Sequence, residues 1–438
     1  MGTMALPRLK IDNVVILGAN GAMGAGAAAM FAGGGCKVTL VSRDIDKNEG
    51  AMRSVQGIAK AERITDDMGS VTYAEGMKEA IMGADLIFEA VAEDFALKRQ
   101  ILTEVDAIRP PEALIATVSS GLSITQLAEG LSEGFRSHFA GVHLFNPPHM
   151  MTGTELIAHP EMPPEVAEAL AQVMTERFGR SMTICDDQPA FAGNRIGFKV
   201  LNEVAQLAEK HGVAYMDTLI GPYTGRALAP LATVDLVGWD VHRAIVDNVY
   251  DKTSDEAHEA FKLPAYMATL LDQGHMGDKT PEKGGFFLRG KDGAQALDPA
   301  SGTYKPVEPV KFDFVEEVRD LHHRGRYVQG VAAFMDAKGT DAELARRVIL
   351  GYVSYALNRF GPGEVVASYD QIDRIMSAGF NWVPPSGLVD LIGVDRTVEE
   401  LERLSLPIPA LLTAARKGEV PTPLFNLPFV TPGRYFAG

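Results

Sequence analysis

Cysteine is scarce in this 438-residue chain: only Cys36 and Cys185 are present. Two cysteines so far apart make neither a disulfide framework nor a metal-ligand spacing. Both read as small buried apolar residues. Positive charge is also short, with 41 Lys and Arg against 57 Asp and Glu and a formal net charge of -16. A surface that acidic repels phosphate backbones and anionic lipid headgroups, which argues against nucleic acid as a partner. No apolar run reaches the roughly 18 residues that a membrane span needs. The segment Met1–Lys10 lacks the charged-then-apolar pattern of a signal peptide. Gly2 follows Met1, but Leu6 breaks the myristoylation pattern. The expected address is the cytoplasm.

What is present is ordinary for a globular protein, with 46% apolar and 22% charged residues. The length allows roughly two to four domains. In the first half, β-rich runs alternate with helical patterns: Asn13–Leu17, Lys37–Ser42, Asp85–Ala90 and Leu114–Ser119 read as strands. Such alternation predicts a parallel, doubly wound α/β sheet. Gly141–Phe145 and Thr154–Ala158 are two more β-rich segments, flanking a loop with Pro147 and Pro148. After Pro189 the periodicity becomes helical, with Ile196, Val200, Val204, Leu207 and Ala208 mostly at spacings of three and four. Asp292–Pro309, rich in Gly, Pro and Asp, reads as a connecting loop.

An internal repeat follows. Pro230 to Asp240 and Pro385 to Asp395 share P-x3-V-D-L-x-G-x-D at a period of 155 residues, and each follows a helical stretch with an aspartate, Asp217 and Asp373. Self-similarity in matching context reads as duplication. The expected division is therefore a doubly wound α/β domain over 1–190, a first helical copy over 191–295, a linker over 296–338 and a second copy over 339–438.

Gly18, Gly21 and Gly24, with Asn20, Ala22 and Met23 around them, lie between the first strand and the first helix. Glycines are wanted there because the backbone turns sharply and must approach a pyrophosphate, while the helix start offers unpaired N–H groups to it. The spacing, G-x-x-G-x-x-G, is one residue longer than the usual fingerprint. About 20 residues on, at the end of the second strand, an acid normally binds the adenine ribose of NAD. Here Ser42 stands at that place, followed by Arg43 and Asp44. Two readings stay open: Ser42 and Arg43 hold a 2′-phosphate and the cofactor is NADP, or Asp44 reaches the ribose and it is NAD.

His143 lies inside an apolar strand, where an unpaired imidazole is costly. Histidine suits the removal of a hydroxyl proton because its pKa lies near operating pH. It needs a partner on its other nitrogen, and Glu155, twelve residues on across the proline loop, can return on a neighbouring strand to supply one.

The stretches around these residues are similar to a known family. Gly141-Val-His143-Leu-Phe-Asn146-Pro147 with Glu155-Leu-Ile resembles the histidine signature of 3-hydroxyacyl-CoA dehydrogenases. Glu89-Ala-Val-Ala-Glu93-Asp-Phe-Ala-Leu-Lys98, Thr117-Val-Ser119-Ser120 and Phe191-Ala-Gly-Asn194-Arg195-Ile196 resemble further family motifs, in order from about residue 12 to residue 290. The second helical copy resembles the long members, whose carboxy-terminal domain is duplicated. The resemblance implies a Rossmann-type doubly wound sheet followed by two all-α domains of the 6-phosphogluconate-dehydrogenase C-terminal type. It implies reversible hydride transfer between a (3S)-3-hydroxyacyl-CoA and NAD or NADP. Ser119 and Asn194 then bind the substrate oxygen beside His143 and Glu155, and Glu93, Lys98, Asn146 and Lys279 join the glycine loop as cofactor contacts. Thr117 stands where the family usually has Asn. The arm Lys47–Met68, where the family holds CoA, is altered, and Lys60 is its one candidate phosphate contact. Rival readings are a dehydrogenase of a non-CoA 3-hydroxy acid or polyketide-type substrate, and a non-catalytic dinucleotide-binding protein. The expected partner is an acyl-CoA, with no nucleic acid and no membrane. The duplicated copy leaves both monomer and homodimer open, since it can fill the place of a partner's domain.

Overall fold

The structure, a computed structural model, describes residues 6–42, 45–61, 69–74, 76–290, 293–428 and 430–436. It divides into two compact units, Met1–Phe191 and Ala192–Gly438.

The first unit is built on an eight-stranded sheet. Its strands are β1 (Asn13–Leu17), β2 (Lys37–Val41), β3 (Val71–Tyr73), β4 (Leu86–Glu89), β5 (Leu114–Thr117), β6 (Phe139–Leu144), β7 (Gly153–Ala158) and β8 (Ser181–Ile184). The order is β3-β2-β1-β4-β5-β6-β7-β8. All neighbours run parallel except β6 and β7. The order reverses between β1 and β4, the switch point at which doubly wound folds open a crevice for ligands. Helix Ala22–Gly33, short-sided and almost wholly buried, packs on the sheet with Phe31, Phe88 and Phe178 in one core cluster. Cys36 and Cys185 are both buried, as expected of small apolar residues.

The second unit is helical and contains both repeats. The duplication extends to individual hydrogen bonds. Asp217 accepts the N–H groups of Leu231 and Ala232 at 2.7 and 2.9 Å. Asp373 accepts the N–H of Ser386, the residue matching Leu231, at 3.1 Å. Asp235 accepts the N–H groups of Phe286 and Phe287, both at 2.8 Å. Its counterpart Asp390 accepts those of Leu424 and Phe425 at 2.9 and 2.8 Å. Gly238 and Gly393 share a left-handed φ of +99° and +97°. Each ends one helix and starts the next (Pro230–Val237 into Trp239–Lys252, Pro385–Ile392 into Val394–Arg403), a turn that a Cβ would strain.

Two expectations are corrected here. Asp292–Pro309 is not a plain loop: β9 (Phe287–Gly290), β10 (Gly293–Asp298) and β11 (Thr303–Pro306) form an antiparallel meander. Glycine and proline mark hairpin turns as well as loops, so composition alone does not separate the two. The span 296–338 is also not a linker. It carries helices Asp313–His323 and Tyr327–Asp336, the first with Val315, Val318 and His322 buried on one face.

Candidate active site

The hairpin β6–β7 presents the central pair. In its antiparallel register His143 stands directly opposite Glu155. Residues so paired project from the same face of a sheet, and the side chains meet: His143 Nδ1 lies 2.5 Å from Glu155 Oε2. Both side chains are buried, at 5% and 0% exposure. A carboxylate accepts only, so the proton sits on Nδ1 and Nε2 is left as the basic nitrogen. Glu155 Oε1 faces the Cys185 thiol at 3.5 Å. The imidazole packs against Phe145 and Phe191, with ring centroids at 4.7 and 5.9 Å.

The loop between the two strands passes through a cis peptide bond at Asn146-Pro147, with Asn146 exposed. Arg180 pins this loop from below. Its guanidinium donates to Pro148 O at 3.0 Å, to Thr154 Oγ1 at 3.1 Å and to Met151 O. Burial pushes the Arg180 pKa down to about 10. Pro148 in turn lies where a Cβ on Gly26 would sit, so the loop rests on the helix after the glycine-rich turn.

A second polar group lies at the ends of β4 and β5. Lys98 is fully buried on helix Phe95–Ile108 and donates to Glu89 at 2.9 and 3.1 Å and to Val118 O at 2.7 Å. Its ammonium also lies 3.7 Å from Glu93 Oε2. Thr117 donates its hydroxyl to the same Glu89. Glu93 Oε1 accepts from Ser119 Oγ at 2.8 Å and from the Ser120 N–H at 2.7 Å. Ser119 Oγ accepts the Leu122 N–H at 2.8 Å. The helix is capped by Asp94, whose carboxylate takes the Leu97 N–H, so Glu93 is not its cap. Nor does Ser119 start a helix; Ser123 caps the next one.

The glycine-rich turn has the form of a phosphate cradle. Gly18 has φ +82°, and a Cβ there would lie 2.7 Å from Ala90 O. A Cβ on Gly24 would lie 2.6 Å from Gly18 O. Helix Ala22–Gly33 starts at Gly21 with no side-chain cap and no acid in its first turn. Its N–H groups and dipole are thus left for an anion. Asn20 and Ala22 are exposed and Met23 half-buried along the turn. At the end of β2 the Ser42 hydroxyl is buried and has no hydrogen-bond partner among the described residues. An orphan donor there suits a ribose or phosphate oxygen. Arg43 and Asp44 lie outside the described residues. These features fit a dinucleotide.

The structure thus brings together His143 with Glu155, and Ser119 with Glu93 and Lys98. Asn194 and Lys279 belong to the second unit. Asn194 is buried in the first turn of helix Gly193–His211. Lys279 pairs with Asp240 at 2.7 and 3.0 Å, an arrangement echoed in the other repeat by Arg416 and Asp395 at 3.3 Å. Lys60 is exposed near the end of helix Ile45–Ala61. Sequence reasoning missed Arg180 and the contacts of Cys185 and Glu89, since single residues in apolar segments carry no pattern. No group of three or more His, Cys, Asp or Glu among the described residues is placed to hold a metal ion. No helix among them is long and apolar enough to cross a membrane.

Residues 13–188 match the model of the 3-hydroxyacyl-CoA dehydrogenase NAD binding domain, and 191–285 that of the 3-hydroxyacyl-CoA dehydrogenase C-terminal domain. A probable 3-hydroxyacyl-CoA dehydrogenase of Bacillus subtilis is 31% identical over 77% of this chain, which spans only 42% of that relative's length. One of Deinococcus radiodurans is 30% identical over 68% of this chain and 88% of its own. Among solved structures, a 3-hydroxybutyryl-CoA dehydrogenase from Escherichia coli K12 shares the fold. Its TM-score is 0.68 at 20% identity, over 94% of this chain and 99% of the other.

Proposed function

The chain belongs to the 3-hydroxyacyl-CoA dehydrogenase family, and we propose that it interconverts a (3S)-3-hydroxyacyl-CoA and the matching 3-ketoacyl-CoA. The observation that carries this reading is the buried contact between His143 Nδ1 and Glu155 Oε2. In oxidation, His143 Nε2 takes the proton of the substrate's 3-hydroxyl; in reduction the imidazolium returns it. Glu155 holds the ring, fixes the tautomer and stabilises the positive charge as it forms. A nicotinamide, when bound, supplies the hydride acceptor for C3 in one direction and the hydride donor in the other.

The family resemblance gives Ser119, and Asn194 of the second unit, the substrate oxygen as their proposed ligand. The Ser119 hydroxyl has one proton, directed at Glu93; donating it to the substrate oxygen therefore requires it to turn away from that carboxylate. Gly18, Asn20, Gly21, Ala22, Met23 and Gly24 hold the pyrophosphate. Glu93 and Asn146 line the nicotinamide side, and Lys98, with its ammonium taken up by Glu89 and Val118 O, serves the cofactor through Glu93. Lys279, by the resemblance a further cofactor contact, pairs with Asp240 within the second unit. In the NADP reading Ser42 and Arg43 take a 2′-phosphate; in the NAD reading Asp44 reaches the adenine ribose. The orphan Ser42 hydroxyl supports a cofactor oxygen at this place. The same reading makes an acyl-CoA the partner, the cytoplasm the address, and a monomer or a homodimer the working form.

The test compares oxidation of (3S)-3-hydroxybutyryl-CoA with that of free 3-hydroxybutyrate, each with NAD and with NADP. The expected result is turnover of the thioester well above that of the free acid. Equal or preferred use of the free acid contradicts the acyl-CoA assignment, and a strong preference for NAD removes the 2′-phosphate role from Ser42 and Arg43.

A further inference from the structure

Within the second unit, the start of helix Gly193–His211 is held by a charge cluster that no catalytic step uses. Arg195 sits in the first turn, 6% exposed. A cation there faces the positive end of the helix dipole and loses its water, so it needs a close acid. Asp255 provides it, with Arg195 Nη2 at 2.6 Å from Oδ2. Two residues of the second repeat share that oxygen. Tyr355 donates its hydroxyl to Asp255 Oδ2 at 2.9 Å and accepts from Arg195 Nε at 2.7 Å. Arg359 Nη1 donates to the same oxygen at 2.9 Å, and its Nη2 pairs with Glu256 at 3.0 and 3.1 Å. The remaining Asp255 oxygen accepts the Ala257 N–H at 3.0 Å. Tyr355 is 2% exposed and Arg359 6%.

The helix start is also a place that needs holding. Ala190 and Phe191, just before it, have φ of +63° and +52°. Non-glycine residues adopt that conformation at a cost, and two in succession persist only where the surroundings impose them.

We infer that the second helical repeat is a positioning element for the Asn194 helix: Tyr355 and Arg359, acting through Asp255 and Arg195, fix the turn that presents Asn194. The catalytic consequence rests on the role proposed for Asn194; the mechanical part stands without it. Duplication thereby supplies from the same chain a brace for the first repeat.

Two measurements on the full chain test this. The first is amide hydrogen exchange over 192–198. Tyr355→Phe keeps the ring and removes only the hydroxyl, and Arg359→Met removes the charge. Each is expected to speed exchange in this segment about tenfold or more while leaving β1 and β4 unchanged, since local opening follows local stability. Unchanged exchange in the segment overturns the inference. The second is a double-mutant cycle of Asn194→Ala with Tyr355→Phe on acetoacetyl-CoA reduction. The expected result is a loss of about tenfold in kcat for Tyr355→Phe alone, with NADH affinity within about twofold of wild type, and little further loss in the Asn194→Ala background. Arg359→Lys, which keeps an ion pair, stays near wild type. Fully additive losses overturn the link to Asn194. A wild-type protein without turnover sinks the functional reading instead and leaves the exchange experiment to judge the brace.

Discussion

His143 and Glu155 face each other across the antiparallel pair β6–β7, Nδ1 to Oε2 at 2.5 Å, with both side chains buried. The cross-strand register, and not a flexible loop, sets their separation. An imidazole held in this way has one nitrogen committed and one available, which is what a reversible proton acceptor needs.

Glu155→Gln tests the role of the carboxylate. The amide retains the shape but can present its NH2 to Nδ1 and invert the tautomer. We expect kcat for acetoacetyl-CoA reduction to fall about 10²–10⁴-fold, with NADH affinity little changed. Steady-state kinetics alongside NADH fluorescence titration separates the two effects.

Gly24→Val tests the cradle. A Cβ at Gly24 would already press on Gly18 O and Ala19 Cα, at 2.6 and 2.9 Å. The turn must open, and NADH binding is expected to weaken, with Kd rising by a factor of about ten or more, equivalent to about 1.4 kcal/mol. An unchanged Kd by titration would place the dinucleotide elsewhere.

Arg180→Met removes the donors that hold Pro148 O, Met151 O and Thr154 Oγ1. Buried acceptors left without donors cost about 1–3 kcal/mol each before relaxation. Denaturant unfolding should show a loss of at least about 1 kcal/mol. The KM for the cofactor should rise, because the loop rests on the helix that follows the glycine turn.

Buried carboxyls of the second unit give stability a definite pH dependence. Burial raises Asp217 and Asp373 each to about 7, against backbone hydrogen bonds that lower them. A carboxyl raised in the folded state binds its proton more tightly folded than unfolded. Its stabilisation is therefore present at low pH and is lost as pH climbs from about 4, the unfolded value, to about 7. Asp373→Asn removes one such group. Wild-type stability relative to this variant should fall by up to about 1.4 kcal/mol per pH unit across that window, measured by urea unfolding at several pH values. A flat difference would mean that Asp373 is ionised throughout.

The parallel sheet was legible because β1, β4 and β5 are continuous apolar runs followed by helical patterns, the mark of strands covered on both faces. The His143–Glu155 pairing was legible because two β-rich segments flank a proline loop, so that Glu155 could return on a neighbouring strand, and because the stretch resembles the family's histidine signature. The repeat announced itself through Asp235 and Asp390, whose carboxylates each bind two backbone N–H groups and so tolerate no replacement that cannot accept both. The meander β9–β11 stayed hidden because its turn residues look like loop. The burial of Lys98 was equally hidden. A lysine on an amphipathic helix normally reaches solvent, and only the three-dimensional convergence of Glu89, Glu93 and Val118 shows where its charge is used.

The most direct test of the account is turnover of His143→Gln with acetoacetyl-CoA and NADH against wild type, with NADH binding measured on the same samples. The account predicts active wild type, a loss of about 10²–10⁴-fold in kcat for the variant, and unchanged NADH affinity. Near-normal turnover by His143→Gln would contradict it.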